Sequence, residues 1–157
     1  MEPQRRGGRG GNAEELNALS EAIIGAALTV HQALGPGLLE SVYEACLAYE
    51  LLERGLRVQR QTLQSLRYKR LTIDNAYRID LVVESGSAIV LVELKAVEKL
   101  LPIHEAQLLT HLKLSGCTLG LLINFNVEML KEGIRRRVND FPDDALCASS
   151  AFSAPPR

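Results

Sequence analysis

The stretch AIVLVELKAV (88–97) decides the fold. Its first five residues are apolar and mostly β-branched, and Ser85-Gly86-Ser87 before them is typical of a turn, which predicts a buried strand. Because side chains alternate along a strand, Glu93 and Lys95 share one face at its end. A buried charge is unfavourable unless it is paired or bound to a metal. Two hypotheses are open here: a solvated ion pair at the strand end, or a site to which other residues contribute.

Length and composition bound the class of protein. The 157 residues, with a net charge of −1, fit one domain with a real core. No apolar run approaches the roughly 18 residues that span a bilayer, and the basic N-terminus lacks the apolar core of a signal peptide, so a cytoplasmic protein is expected. The three cysteines are too scattered for a disulfide framework or a CxxC zinc site. Any nucleic-acid interface must be a local basic patch, because total charge gives no such signal.

The order of predicted elements indicates an α/β (α+β) fold. Gly- and Arg-rich residues 1–12 and Pro/Ser/Ala-rich residues 142–157 are predicted to be disordered tails around one domain, 13–141. Apolar residues at helical spacing, with Gly-Pro-Gly at 35–37 as a stop, predict two initial helices. The full predicted order is α-α-β-β-β-α-β: helices at about 16–34 and 38–54, strands at 57–68, 76–84 and 88–96, a helix from Pro102 to Gly116, and a buried strand at 118–125. A short helical piece near 127–132 and the basic RRRV (135–138) follow.

An acidic residue also interrupts the preceding strand, YRIDLVVE (77–84). Strict alternation predicts that Asp80 shares a face with Val82, opposite Ile79 and Leu81. In a hairpin about Gly86, Asp80 lies six residues from the turn and Glu93 seven, which brings the two acids together. Opposed carboxylates repel unless a cation lies between them, so Asp80, Glu93 and nearby Lys95 form a candidate Mg²⁺ site.

An acid on one strand followed by Glu-X-Lys on the next resembles the PD-(D/E)XK nuclease superfamily. Gly37 to Tyr43, GLLESVY, also matches the GxxExxY motif after which a family in that superfamily is named, and VELKAVEKL, HEAQLL and GLLINF extend the resemblance. It covers residues from about 20 to 138. The resemblance implies a restriction-endonuclease-like core, a mixed β-sheet flanked by helices, with the first helix as an addition.

The resemblance also implies roles for residues of the motif. Asp80 and Glu93 would bind Mg²⁺, or Mn²⁺ in its place, with the Leu94 carbonyl as a further ligand. Lys95 would orient the attacking water and stabilise charge on the phosphate. Glu40 would supply an extra acid, although an acid in the first turn of a helix is also explained by the helix dipole. Tyr43 is expected to be a packing residue with one hydroxyl partner.

The third helix carries the remaining candidate residues. Related nucleases have Gln-X-X-X-Tyr here, and the resemblance implies a supporting role for Gln107, whereas His111 stands at the position of the tyrosine. His111 either forms a similar hydrogen bond or is a partly buried helix residue. Glu105, in the first turn, is expected to interact favourably with the helix dipole and to cap the helix. His104 is expected either to contact a phosphate or to have no role in the site. Candidate phosphate contacts are Arg54, Arg57, Arg60, Lys69, Arg70, Lys99 and Arg135 to Arg137.

These residues predict a Mg²⁺-dependent enzyme that hydrolyses phosphodiester bonds in DNA. The alternative is a non-catalytic module that uses the same fold to bind nucleic acid or a protein. A homodimer or a protein partner is also expected, since a small sheet protein offers few recognition elements.

Overall fold

The computed structural model describes residues 12–139. The tails predicted to be disordered lie outside these residues, except Asn12, which caps the first helix by accepting a hydrogen bond from the Glu15 amide. The elements in chain order are α1 (Ala13–Leu34), α2 (Glu40–Glu53), β1 (Arg57–Tyr68), β2 (Leu71–Ser85), β3 (Ala88–Lys95), α3 (Pro102–Ser115), β4 (Leu119–Asn124), a 3₁₀ helix (Leu130–Gly133) and β5 (Ile134–Val138).

The strands form one mixed sheet in the order β1-β2-β3-β4-β5. Its first three strands are antiparallel neighbours, β3 and β4 are parallel, and β5 returns antiparallel to β4. The parallel pair is joined through α3, as a parallel connection requires. The predicted fold class and the predicted order of elements are confirmed, with β5 as an additional strand formed by the basic segment after the 3₁₀ helix.

Two apolar cores cover the two faces of the sheet. On one face, α1 and α2 pack through residues such as Ile23 and Leu47 onto Val90, Val92 and the strands beside them. On the other face, Leu108 and Leu112 of α3 pack onto Leu91 and Leu122. With both faces covered, β4 is buried along its whole length, which explains why its sequence shows no alternation.

The third helix begins and ends at the residues that the sequence indicated. Pro102 occupies the first turn of α3, where no backbone donor is needed, and Gly116 ends it in the left-handed conformation, with φ of 76°. Within residues 12–139, no helix is long and apolar enough to cross a membrane.

The hairpin of β1 and β2 is longer than predicted. The sequence predicts strands at 57–68 and 76–84, with the turn-like KRLTIDN (69–75) between them, but β2 begins at Leu71 and pairs with Tyr68, which leaves Lys69 and Arg70 as the turn. Asn75, at φ of 53°, lies where the register shifts, so a bulge accommodates the polar, turn-like sequence inside the strand. Cross-strand pairing here overrides local propensity.

The predicted alternation along β2 is wrong at Asp80. Leu81 packs in the core under α1 and α2, whereas Ile79 packs with Val82 in the core under α3, although residues 79 and 81 should share a face. At the same place on β1, Gln61 has φ of 50°, and the pairing between the two strands is interrupted between Arg60–Leu81 and Thr62–Ile79 without a change of register. The faces are exchanged across this interruption.

Candidate active site

The strands separate where the predicted site residues lie. Pairing between β2 and β3 ends at Leu81 and Val92, so the next pair in register would be Asp80 and Glu93. Beyond this point β3 continues beside β4 as far as Lys95, while β2 runs beside β1 alone. We call this divergence, at Asp80, Leu81, Val92 and Glu93, the strand fork. A fork leaves backbone groups without a ladder partner and opens space for side chains between the strands.

Asp80 closes the fork with its carboxylate. One oxygen, Oδ2, accepts a hydrogen bond of 2.9 Å from the Leu94 amide, and Oδ1 accepts one of 3.3 Å from the Gln61 side chain. The carboxylate therefore replaces a missing strand-to-strand bond. Two donors from two different strands fix its position.

Gln61 and Glu44 form a supporting layer that the sequence did not reveal. The Gln61 amide also donates to Glu44 Oε1, and Arg60 donates to Glu44 Oε2 at 3.1 Å. Glu44 is buried on α2, so a carboxylate of the helix reaches Asp80 through one glutamine. The spacing of four from Glu40 could have indicated that Glu44 lies on the same helix face, but no residue type signals the left-handed backbone of Gln61.

Glu93 lies under α3, where His111 contacts it. The Nδ1 atom of His111 is 2.9 Å from Glu93 Oε2, and the imidazole stacks on Tyr77 with ring centroids 5.0 Å apart. Burial raises the pKa of Glu93; the hydrogen bond to His111 opposes this rise, the charge of Asp80 adds to it, and Lys95 lowers it. Of the two interpretations of His111, the structure supports the first: it hydrogen-bonds where a tyrosine was expected.

Glu40 is the first residue of α2 and faces the same charges. Although Glu40 as a whole is exposed, partial burial of its carboxyl raises its pKa, Asp80 raises it further, Lys95 lowers it and Glu44 raises it. Two acids and one lysine thus act electrostatically on Glu40. The structure brings Glu40, Asp80, Glu93 and Lys95 into one electrostatic cluster from α2, β2 and β3.

The segments beside this cluster are held by buried polar groups. The Tyr43 hydroxyl donates to the Gly35 carbonyl at 2.6 Å and accepts from the Leu38 amide at 3.1 Å, which ties down the loop before Glu40. Tyr43 itself is buried and stacks on Phe125, as a packing residue should. After Lys95, the buried Asn124 side chain accepts from the Val97 amide and donates to the Val97 carbonyl.

Other candidates lie apart from the cluster. Gln107 is exposed on α3, and among residues 12–139 no hydrogen bond joins it to the acids of the fork. His104 Nδ1 accepts from the Leu101 amide and so caps α3. Glu105 pairs with Arg135 and Arg137, which fastens α3 to β5 instead of leaving the RRRV segment for phosphate. The remaining arginine of that segment, Arg136, donates to Asn17.

The donor set at the fork fits a hard divalent cation in chemistry. Asp80 and Glu93 offer carboxylate oxygens, and Glu40 adds a third. Burial, to which the charge of Asp80 adds, raises the pKa of Glu40 and of Glu93, and a cation would favour the charged form of both. In the described part of the chain, however, no three His, Cys, Asp or Glu side chains converge closely enough to hold a metal. Leu94, the predicted carbonyl ligand, contacts Asp80 through its amide. Asp80 and Glu93 each have a hydrogen-bond partner from the protein instead.

A comparison with protein families bears on this arrangement. The model of the PD-(D/E)XK nuclease superfamily matches residues 17–137, which include every element from most of α1 to β5. This chain belongs to the PD-(D/E)XK nuclease superfamily. The matched residues include the strand fork and the two helices beside it, α2 and α3. Membership of this superfamily indicates a nuclease-type function in general terms. Comparisons with curated proteins and with solved structures find no match.

Proposed function

We propose that this PD-(D/E)XK protein is a Mg²⁺-dependent nuclease that hydrolyses phosphodiester bonds in DNA. The observation that carries the proposal is the strand fork, where Asp80 and Glu93 lie beside Lys95 and the first residue of α2. We further propose membership of the narrower GxxExxY family, on the GLLESVY segment (37–43), and a cytoplasmic location.

The proposed roles follow from the position of each group. Asp80, Glu93 and the Leu94 carbonyl would hold Mg²⁺ or Mn²⁺, with Glu40 beside them. When bound, the ion polarises a phosphoryl oxygen and lowers the pKa of its water. Lys95 carries a compact positive charge next to two acids, and it would orient the attacking water and stabilise charge that develops on the phosphate.

Residues around the acids would position them. His111 holds one oxygen of Glu93 and leaves the other for a ligand, whereas Gln61 and the Leu94 amide each hold one oxygen of Asp80, so a ligand would use a remaining lone pair of that carboxylate. Gln107, exposed on α3, is proposed as a polar group that contacts substrate and not the acids.

A specific observation favours the alternative, a non-catalytic module that binds nucleic acid or a protein. Both oxygens of Asp80 accept hydrogen bonds, and Glu93 is paired with His111, so the acids are satisfied without an ion. In that case the cluster would serve only to close the fork.

Metal-dependent thermal stability separates these two functions. A ligand at 100 times its Kd stabilises a protein by about 2.7 kcal/mol, so Mg²⁺ or Mn²⁺ should raise the Tm of the wild type. Asp80→Asn and Glu93→Gln should abolish this rise. The matched control is Glu53→Gln, which makes the same chemical change at an exposed residue of α2 and should keep the full rise. If neither Mg²⁺ nor Mn²⁺ changes the Tm of the wild type, the proposed metal site is refuted.

Cleavage is tested on single- and double-stranded DNA and on RNA of the same sequence, with Mg²⁺ present. Lys95→Ala should reduce the rate at least 100-fold if its cation stabilises the developing charge, by analogy with loss of one electrostatic contact in an active site. Lys131→Ala, at an exposed lysine of the 3₁₀ helix, should cut like the wild type. Equal rates for Lys95→Ala and the wild type would assign the cleavage to a contaminant.

A further inference from the structure

The hairpin of β1 and β2 projects past the sheet at the strand fork. Residues 62–79, here called the β-arm, pair only with each other, because β3 joins β2 no earlier than Leu81. The base of the β-arm is anchored by Ile79, which is buried under α3, whereas every residue from 67 to 76 is exposed. A two-stranded ribbon of this length, without a third strand or a helix over its outer part, is marginal on its own and offers two faces to a ligand.

Positive charge without carboxylate partners is concentrated on the β-arm. It carries four basic residues and one acidic residue, Asp74: the basic residues are Arg67, Lys69, Arg70 and Arg78. Within residues 12–139, no carboxylate lies at ion-pair distance from any of these four. By contrast, the three arginines that precede the β-arm in the chain are ion-paired: Arg54 with Glu50, Arg57 with Glu84, and Arg60 with Glu44.

The geometry points to double-stranded DNA as the ligand of the β-arm. We propose that the β-arm lies in a groove of the duplex and contacts phosphates with its basic side chains. The sugar-phosphate backbone of the DNA would then pass close to the strand fork. The inference rests on the proposed function, since it names the form of DNA that the fork would receive. A groove about 12 Å wide admits a two-stranded β-ribbon, and the ten residue steps from Arg70 to Asp80 span about 33 Å, close to one turn of B-DNA.

The exposed side chains of the β-arm suit this ligand. Tyr68, 54% exposed, lies beside Lys69, whose ammonium is 5.4 Å from the ring centroid, so an aromatic face and a cation are presented together at the tip. Apolar Leu63, Leu71 and Ile73 are exposed on the same ribbon and would contact sugars in the groove. A second copy of this chain, the other partner that exposed apolar groups would attract, would bring two sets of unneutralised cations together.

Duplex affinity of the full chain tests the proposal in chelator, where no cleavage occurs. The variant Lys69→Gln/Arg70→Gln removes both tip cations, and the control Lys131→Gln/Arg136→Gln removes one lysine and one arginine on the far edge of the sheet, on the 3₁₀ helix and β5. Fluorescence anisotropy with a labelled 24-base-pair duplex should show at least tenfold weaker binding for the tip variant at 0.1 M salt. Its slope of log K against log salt should be about 1.8 smaller, since each phosphate contact contributes about 0.9. The control should stay within about twofold of the wild type.

Several results would overturn the proposal. Equal weakening of both variants would mean that only total charge matters. An equal loss of affinity for the single strand of the same sequence would show that the β-arm does not prefer duplex DNA. A tip variant that binds duplex normally but changes from dimer to monomer in light scattering would make the β-arm a contact between copies. Failure of the proposed catalysis is distinguished by Lys95→Ala, which should retain arm-dependent duplex binding whether or not the wild type cuts DNA.

Discussion

The tyrosine of the GLLESVY segment should contribute more to stability than its ring alone, because its hydroxyl bridges two backbone groups of the loop before α2. Tyr43→Phe keeps the buried ring and its stacking on Phe125 but removes the bonds to the Gly35 carbonyl and the Leu38 amide. Each such bond contributes about 0.5 to 1.5 kcal/mol net, so the expected loss is about 2 kcal/mol in the free energy of unfolding. The loop is partly exposed and water can reach these groups, which keeps the loss below the penalty for fully buried orphans.

Urea denaturation and thermal scans measure this loss directly. For a chain of this length, about 2 kcal/mol corresponds to a fall in Tm of about 4 to 8 °C. The matched control is Tyr49→Phe on the same helix, where the tyrosine is 64% exposed, and its effect should be within about 0.5 kcal/mol. If Tyr43→Phe were as stable as the wild type, or if both substitutions had the same effect, the hydroxyl would not hold the loop.

Three further substitutions follow from the structure. Gly133→Ala should destabilise the protein by about 3 kcal/mol in urea, because the added Cβ would collide with the Asn124 carbonyl oxygen, a backbone atom that cannot rotate away. Burial and Asp80 raise the pKa of Glu93, so in chelator the contribution of Glu93 to stability should be fully present below about pH 4.5 and be lost as pH rises through the raised pKa; Glu93→Gln should lack this pH-dependent contribution, and parallel pH profiles of the two proteins would contradict the assignment. Gln61→Ala removes one donor to Asp80 and should reduce the rise of Tm in Mg²⁺ by at least half, whereas a full rise would show that the Leu94 amide suffices.

Much of the fold could be predicted because its signals are local. The apolar stripe of α1 and the Gly35-Pro36-Gly37 stop depend on residues a few positions apart, as do the apolar run of β3 and the turn before it. The same holds for the heart of the candidate site: Glu93 and Lys95 lie two residues apart, and Asp80 is reached by counting along one hairpin. Short-range spacing on a strand or in a hairpin has few geometric solutions.

Other features depend on partners far away in the sequence. Residues 71–75 look like a turn, yet pairing with β1 draws them into β2, because cross-strand hydrogen bonds outweigh weak local preferences. The exchange of faces at Asp80 coincides with the left-handed backbone of Gln61 on another strand, and neither residue type predicts it. The contact between His111 and Glu93 required α3 to lie over β3, which no spacing within α3 could fix.

The sequence by itself determined the fold class and which residues are candidates for the site, since the acids, the lysine and the elements that bear them follow from local patterns. Only the tertiary structure decided how they are arranged. It showed that β2 separates from β3 at Asp80 and Glu93 and that Glu44 and Gln61 support Asp80. It also showed that the β-arm, with its exposed basic side chains, extends from the strand fork. The physical reason is that these features depend on packing and pairing between distant segments, whose free energies are shared among many contacts and are not encoded at any one position.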